Sequence, residues 1–238
     1  VFRPNWLKRY HQQPNFLASE LLERVHGEVC NSPYLAPTTL NSGFAGSLGF
    51  SVTFQRSALT KIKNYLPATC EYLDIVLDPG CNAFFLNPLV ILESRSVDAH
   101  IDCSLRSWTR PEEPPFPVKV SVLYLEIPKS MEKGGELMIY PFDWGPAARI
   151  KPQPNLLVEF RGDLRHEVVP FSQKENEEKT RRVSLVCEQY QLPLELLTRI
   201  PVHQLNSLCN FEHFLENALQ ICASGNDAAT RPASSDAT

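Results

Sequence analysis

Ala99-His100-Ile101-Asp102 closes an apolar stretch that passes through Ala83-Phe84-Phe85-Leu86 and Leu89-Val90-Ile91-Leu92. In an extended strand alternate side chains share a face, so His100 and Asp102 converge on one point while Ile101 faces away. The pair offers one imidazole nitrogen and one carboxylate oxygen. A metal needs a third protein donor. The other histidine with strand-like flanks is His166, within Leu156-Leu157-Val158-Glu159-Phe160-Arg161-Gly162-Asp163-Leu164-Arg165-His166-Glu167-Val168-Val169.

Two histidines and one carboxylate with the remaining positions open are the facial donor set of non-haem Fe(II) chemistry. Further on, Arg181-Arg182-Val183-Ser184-Leu185-Val186 reads as another short strand, in which Arg182 and Ser184 share a face suited to a carboxylate such as the distal one of 2-oxoglutarate. Arg181 alternates to the opposite face. A second pair of the same spacing, His26-x-Glu28, lies in Ala18-Ser19-Glu20-Leu21-Leu22-Glu23-Arg24-Val25-His26, whose apolar positions recur at helical spacing. On a helix residues two apart diverge, so His26 reads as a surface histidine.

The order His100-x-Asp102, His166, Arg182-x-Ser184 resembles the Fe(II)/2-oxoglutarate dioxygenases. Three runs are similar in type and order to their prolyl-hydroxylase-like branch: Val120-Ser121-Val122-Leu123-Tyr124-Leu125, Gly134-Gly135-Glu136-Leu137-Met138-Ile139-Tyr140, and His166-Glu167-Val168-Val169-Pro170. The likeness spans residues 84–190. It implies a double-stranded β-helix, the jelly-roll barrel that also builds cupins. It also implies Fe(II) on His100, Asp102 and His166, with 2-oxoglutarate and O2 as cosubstrates, and a tyrosine at position 124 that joins Arg182 and Ser184 on the distal carboxylate. The expected activity is hydroxylation of an unactivated C–H with release of succinate and CO2. The tyrosine that much of the branch carries some ten residues before the first ligand has no counterpart here, where Val90 and Ile91 stand.

The rest of the chain fits one mainly β domain with flanking helices. Its 238 residues, 43% hydrophobic, suffice for a sizeable core. Residues 1–82 read as N-terminal helices and supporting strands: an irregular arm to residue 17, a helix capped by Ser19 and running to Val29, short strands from Thr38 to Phe54, and a helix from Ser57 that stops before Pro67. Residues 83–190 read as the catalytic core, with strands at 83–92, 118–127, 136–140, 156–160, 166–169 and 182–187. Asn87-Pro88, Lys133-Gly134-Gly135 and Arg161-Gly162-Asp163 are the turn signals among them. Ser172 to Thr180 reads as a polar surface loop, residues 191–223 as a C-terminal helical cap that includes Phe211, Phe214, Leu215 and Leu219, and residues 224–238 as a disordered tail.

A net charge of -4 gives no reason to expect nucleic acid, and no run is long enough to span a membrane. Seven scattered cysteines without a C-x-x-C pair fit a reducing cytoplasm. A monomer or homodimer is expected. For the substrate, Arg106, Trp108, Trp144 and Arg165 are the candidate contacts. Arg95 and Arg161 add to a set of arginines near the ligands that suggests an anionic small metabolite, amino acid or peptide. The alternatives are a prolyl or other residue of a protein as substrate and, in a different class, a non-catalytic metal-binding sensor of cupin type, for which the Arg182 clamp has no use.

Overall fold

The computed structural model describes residues 10–38, 42–109, 114–129, 131–140, 147–173 and 181–208. Along them run β1 (Tyr10–Gln13), α1 (Ser19–Cys30), β2 (Ala36–Pro37), β3 (Leu48–Gly49), β4 (Ser51–Gln55), α2 (Leu59–Lys63), α3 (Pro67–Val76), β5 (Ala83–Leu92), β6 (Val97–His100) and β7 (Lys119–Glu126). There follow β8 (Met131–Lys133), β9 (Leu137–Tyr140), β10 (Ala148–Ile150), β11 (Leu157–Phe160), β12 (Arg165–Val168), β13 (Ser172–Gln173), β14 (Arg181–Tyr190), α4 (Leu194–Leu197) and β15 (His203–Asn206).

The large sheet has the order β1-β11-β7-β14-β5-β3-β2, with β4 also on β5 and β15 on β4. A smaller sheet has the order β10-β9-β12-β6, and β8 pairs with β13. Two sheets facing each other with helices outside make the expected jelly roll. The large sheet is buried on both faces. One face packs Leu86, Val90, Val183, Leu185 and Cys187 against Val25, Val29, Ile62, Tyr72 and Leu73 of the helices. The other packs Leu89, Ile91, Val120, Val122 and Tyr124 against Leu137, Ile139 and Val168 of the small sheet. This two-sided burial is why β5 reads as a nearly continuous apolar run rather than as alternation, while β14 buries Arg182, Ser184, Glu188 and Gln189 among its apolar residues. Truncating a fully buried leucine of this kind costs about 2–5 kcal/mol.

Asn87-Pro88 is not a turn, because β5 runs straight through it and pairs with β14 along its whole length. Proline lacks a backbone donor, and the neighbouring edge is broken at that point: β4 pairs with Ala83 to Leu86, and β3 takes over at Leu89 and Val90. The arm before residue 17 also differs from the expectation, since β1 pairs antiparallel with β11. α1 begins at Ser19, but its N-cap is Ala18 and no side chain caps it. Pro67 does not follow a helix so much as start one, α3, where the absent N–H is no loss in the first turn. Its two leading amides, Ala68 N–H and Thr69 N–H, donate to Glu28 Oε1 and Oε2 at 3.0 and 2.7 Å.

Ser172 and Gln173 form a strand rather than the start of a loop, and the rest of the expected loop, 174–180, lies outside the described residues. Within the stretch expected to be a helical cap, α4 is a single turn and β15 is a strand on β4. The helix expected around Phe211 to Leu219 and the tail after it lie outside the described residues, as does Trp144.

Candidate active site

His100 ends β6 and His166 lies in β12, and the two are direct cross-strand partners, so both imidazoles leave the small sheet on one face. Asp102 comes just after β6 rather than within it, yet it points back at both rings. His100 Nε2 is 3.3 Å from Asp102 Oδ1, and His166 Nε2 is 3.5 Å from Asp102 Oδ2. All three donor atoms lie within 4.8 Å of one another. Cis donors on a metal held at about 2.1 Å are about 3 Å apart, so the spacing suits a common ion.

The ring orientation has a local cause. His100 Nδ1 donates to Asp98 O at 2.7 Å and His166 Nδ1 to Leu164 O at 3.0 Å. A carbonyl only accepts, so each neutral ring carries its proton on Nδ1 and turns the Nε2 lone pair toward Asp102. Burial, which outweighs the pull of Asp102, pushes His166 below its ordinary pKa and favours the neutral ligand form. Burial opposes the charge on Asp102 as well, but His166 and His100 together hold that carboxyl below its usual range. Among the described residues Asp102 Oδ2 is buried without a hydrogen-bond partner, a state that costs about 1–3 kcal/mol. A cation among the three donors removes that cost, and Fe(II) matches the donor types.

The triad opens on a cavity of about 460 Å³ that Arg182, Ser184 and Glu188 of β14 also line. Arg182 is 1% exposed, and its Nη1 donates to Gly135 O at 3.1 Å. That acceptor depends on the Gly134-Gly135 turn: both have φ near +80°, and a Cβ on Gly134 would stand 1.9 Å from Pro170 O. The guanidinium carbon is 4.8 Å from the centre of the Tyr124 ring. Arg182 Nε and the Tyr124 hydroxyl are both buried, and among the described residues neither has a well-formed hydrogen bond, each being the other's polar neighbour. Ser184 is the direct cross-strand partner of Tyr124, which puts the three polar groups on one face. Arg181, by contrast, points to the other side and binds Glu126 Oε2 at 3.3 Å.

The proposed substrate contacts are more scattered. Arg106 lines the cavity from the turn Ser104–Trp108 after the ligands. Trp108 packs instead on the cluster of Ala83, Phe85, Leu105 and Tyr190. Arg165 alternates away from His166 and lies over the Tyr140 ring at 5.5 Å. Arg161 is bound to Asp163, 3.1 Å from Nε to Oδ1, and the Arg95 side chain lies against Gly46. Of the four arginines expected at the mouth, Arg106 alone lines the cavity. Glu188 was missed. Its signal was present in the parity of β14, where Arg182, Ser184, Val186 and Glu188 are each two apart and therefore share a face.

No family model matches the sequence, and no curated protein does. Solved structures do resemble the fold. A Pseudomonas putida prolyl-4-hydroxylase is 19% identical with a TM-score of 0.51, over 78% of this chain and 94% of that one. A Trichoplax adhaerens prolyl hydroxylase, solved with a hypoxia inducible factor oxygen degradation domain peptide, is 17% identical with a TM-score of 0.52, over 79% and 86%. A 2OG-Fe(II) oxygenase family oxidoreductase from Burkholderia pseudomallei is 15% identical with a TM-score of 0.51, over 77% and 86%. The chain has the jelly-roll fold of the prolyl-hydroxylase-like 2OG-Fe(II) oxygenases.

Proposed function

We propose that this chain is an Fe(II)- and 2-oxoglutarate-dependent dioxygenase that hydroxylates an unactivated C–H of a small metabolite, amino acid or peptide. The observation that carries this reading is the convergence of His100, Asp102 and His166, with Asp102 Oδ2 unsatisfied, on the cavity that Arg182 also lines.

When bound, iron with 2-oxoglutarate and O2 supplies the oxidation, in which the cosubstrate loses CO2 to become succinate and one oxygen atom enters the C–H bond. The protein's task is positioning and exclusion of water. His100, Asp102 and His166 hold the ion by one face, with both rings fixed through Nδ1. Arg182 takes the distal carboxylate in a charge-assisted bond, and the Tyr124 and Ser184 hydroxyls add to it. Apolar walls from Leu89, Val122, Leu137 and Val168 keep that end of the cavity dry.

A second reading, hydroxylation of a prolyl or other residue in a protein, draws support from the peptide seen on the Trichoplax enzyme. The sensor reading is weakened by the buried, incompletely bonded Arg182. An anionic substrate rests on Arg106 alone. Among the described residues no helix is long and apolar enough to cross a membrane. Cys30, Cys70, Cys81, Cys103 and Cys187 are free thiols, in keeping with a reducing cytoplasm. The test is binding of Fe(II) and 2-oxoglutarate by the purified protein, followed by succinate release against a panel of candidate substrates. Failure to bind either one overturns the assignment.

A further inference from the structure

β14 presents one inward row to the cavity, with a cation at one end and an acid at the other. Arg182 and Glu188 are six residues apart, about 20 Å along an extended strand. The proposed cosubstrate takes the Arg182 end. The Glu188 end lies beside Ser104, two residues after Asp102, and so faces the part of the cavity left for the substrate.

Glu188 is 3% exposed. Its Oε1 accepts from Ser104 Oγ at 2.5 Å, and its Oε2 accepts from Ser104 N–H at 3.1 Å and from the Tyr190 hydroxyl. Two carboxylate oxygens offer about four acceptor sites, so one on Oε1 is left. Every donor it has is neutral, and among the described residues no basic side chain pairs with it. Buried acids of this kind are ordinarily paired. Arg106 lines the same cavity from its exposed side and does not supply the pairing.

We infer that Glu188 is the substrate-orienting residue and that the substrate carries a cationic nitrogen, an amine or guanidinium, that docks on its free acceptor site. This rests on the oxygenase reading and replaces the anionic substrate with a basic one. Ser104 and Tyr190 fix the carboxylate in advance, so the nitrogen meets an oriented acceptor, and the C–H to be oxidised is held at a set distance from the ligand cluster.

The test uses the full chain and a panel of primary amines and guanidines, each matched to its neutral alcohol or acetamide. Direct binding is measured by calorimetry, and succinate release is measured with Fe(II) and 2-oxoglutarate present. A preference of at least tenfold for the cationic member, lost in Glu188→Gln, is the expected result. Equal response to charged and neutral members, the same preference in Glu188→Gln, or no response to any amine from protein that binds Fe(II) and 2-oxoglutarate overturns the inference. Loss of Fe(II) affinity in Glu188→Gln also overturns it, because the residue then serves to position Asp102 through Ser104. A wild-type protein that binds neither Fe(II) nor 2-oxoglutarate fails earlier, at the oxygenase assignment, and calorimetric amine binding still decides the role of Glu188.

Discussion

His26-x-Glu28 and His100-x-Asp102 have the same spacing and opposite fates. On α1 the two side chains diverge: His26 reaches Glu126 at 2.7 Å, while Glu28 turns to the first amides of α3. At the end of β6 they converge, and a cross-strand histidine completes the group. The spacing alone therefore says little. What makes a ligand pair is the backbone period beneath it, together with a third donor that the sheet register delivers to the same face. His26 is also not the free surface histidine that helical spacing suggested, since a half-buried ion pair holds it.

The largest effect that sharpens this contrast is expected from His166→Ala or His100→Ala. Either should lower Fe(II) affinity by two orders of magnitude or more and abolish iron-dependent turnover, while circular dichroism still reports a folded β protein. Unchanged iron binding in both variants would break the triad. Next comes the cosubstrate clamp. Loss of a charge-assisted bond of about 1.5–3 kcal/mol predicts that Arg182→Ala weakens 2-oxoglutarate binding roughly ten- to a hundredfold. Arg181→Ala should change it little, as titration of the two variants would show.

The helical pair should respond in stability rather than in iron chemistry. Glu28→Ala removes a carboxylate from the N-terminus of α3 and should destabilise the fold by about 1–2 kcal/mol in urea denaturation, with Fe(II) affinity unchanged. Smallest of all is His26→Ala, which loses the half-buried pairing with Glu126 and should cost about 0–1 kcal/mol, less at high salt. If His26→Ala weakened iron binding as His166→Ala does, the distinction between the two pairs would collapse.

The candidate cluster was legible in the sequence where strand parity and sheet register bring residues together: His100 and His166 are cross-strand partners, Arg182 and Ser184 are an even step apart on β14, and Asp102 follows just beyond the end of β6. Substrate contacts were less legible, because an arginine near a ligand in sequence need not be near it in space: Arg165 follows strand alternation away from His166, and Arg161 is held by Asp163 two residues on. The fold class follows from the apolar runs, but α3 does not, since Pro67 marks the end of one helical pattern in the sequence while a proline at the first helical position is also a beginning. β1 escaped notice because its polar sequence, Tyr10-His11-Gln12-Gln13, owes its strand form to β11 and not to its own pattern.

β14 separates β5 from β7 in the sheet and yet comes last of the three in the chain. Until residues 181–190 emerge from the ribosome, two long apolar strands wait with open edges, each a template for the wrong neighbour. The nascent chain thus carries its central gap from β7 until β14 is made, and pairing across such sequence distances is slow. Truncation before residue 181 removes more than the carboxylate clamp. It leaves a protein without the strand that joins its two halves, and such a fragment should aggregate rather than persist as a smaller fold.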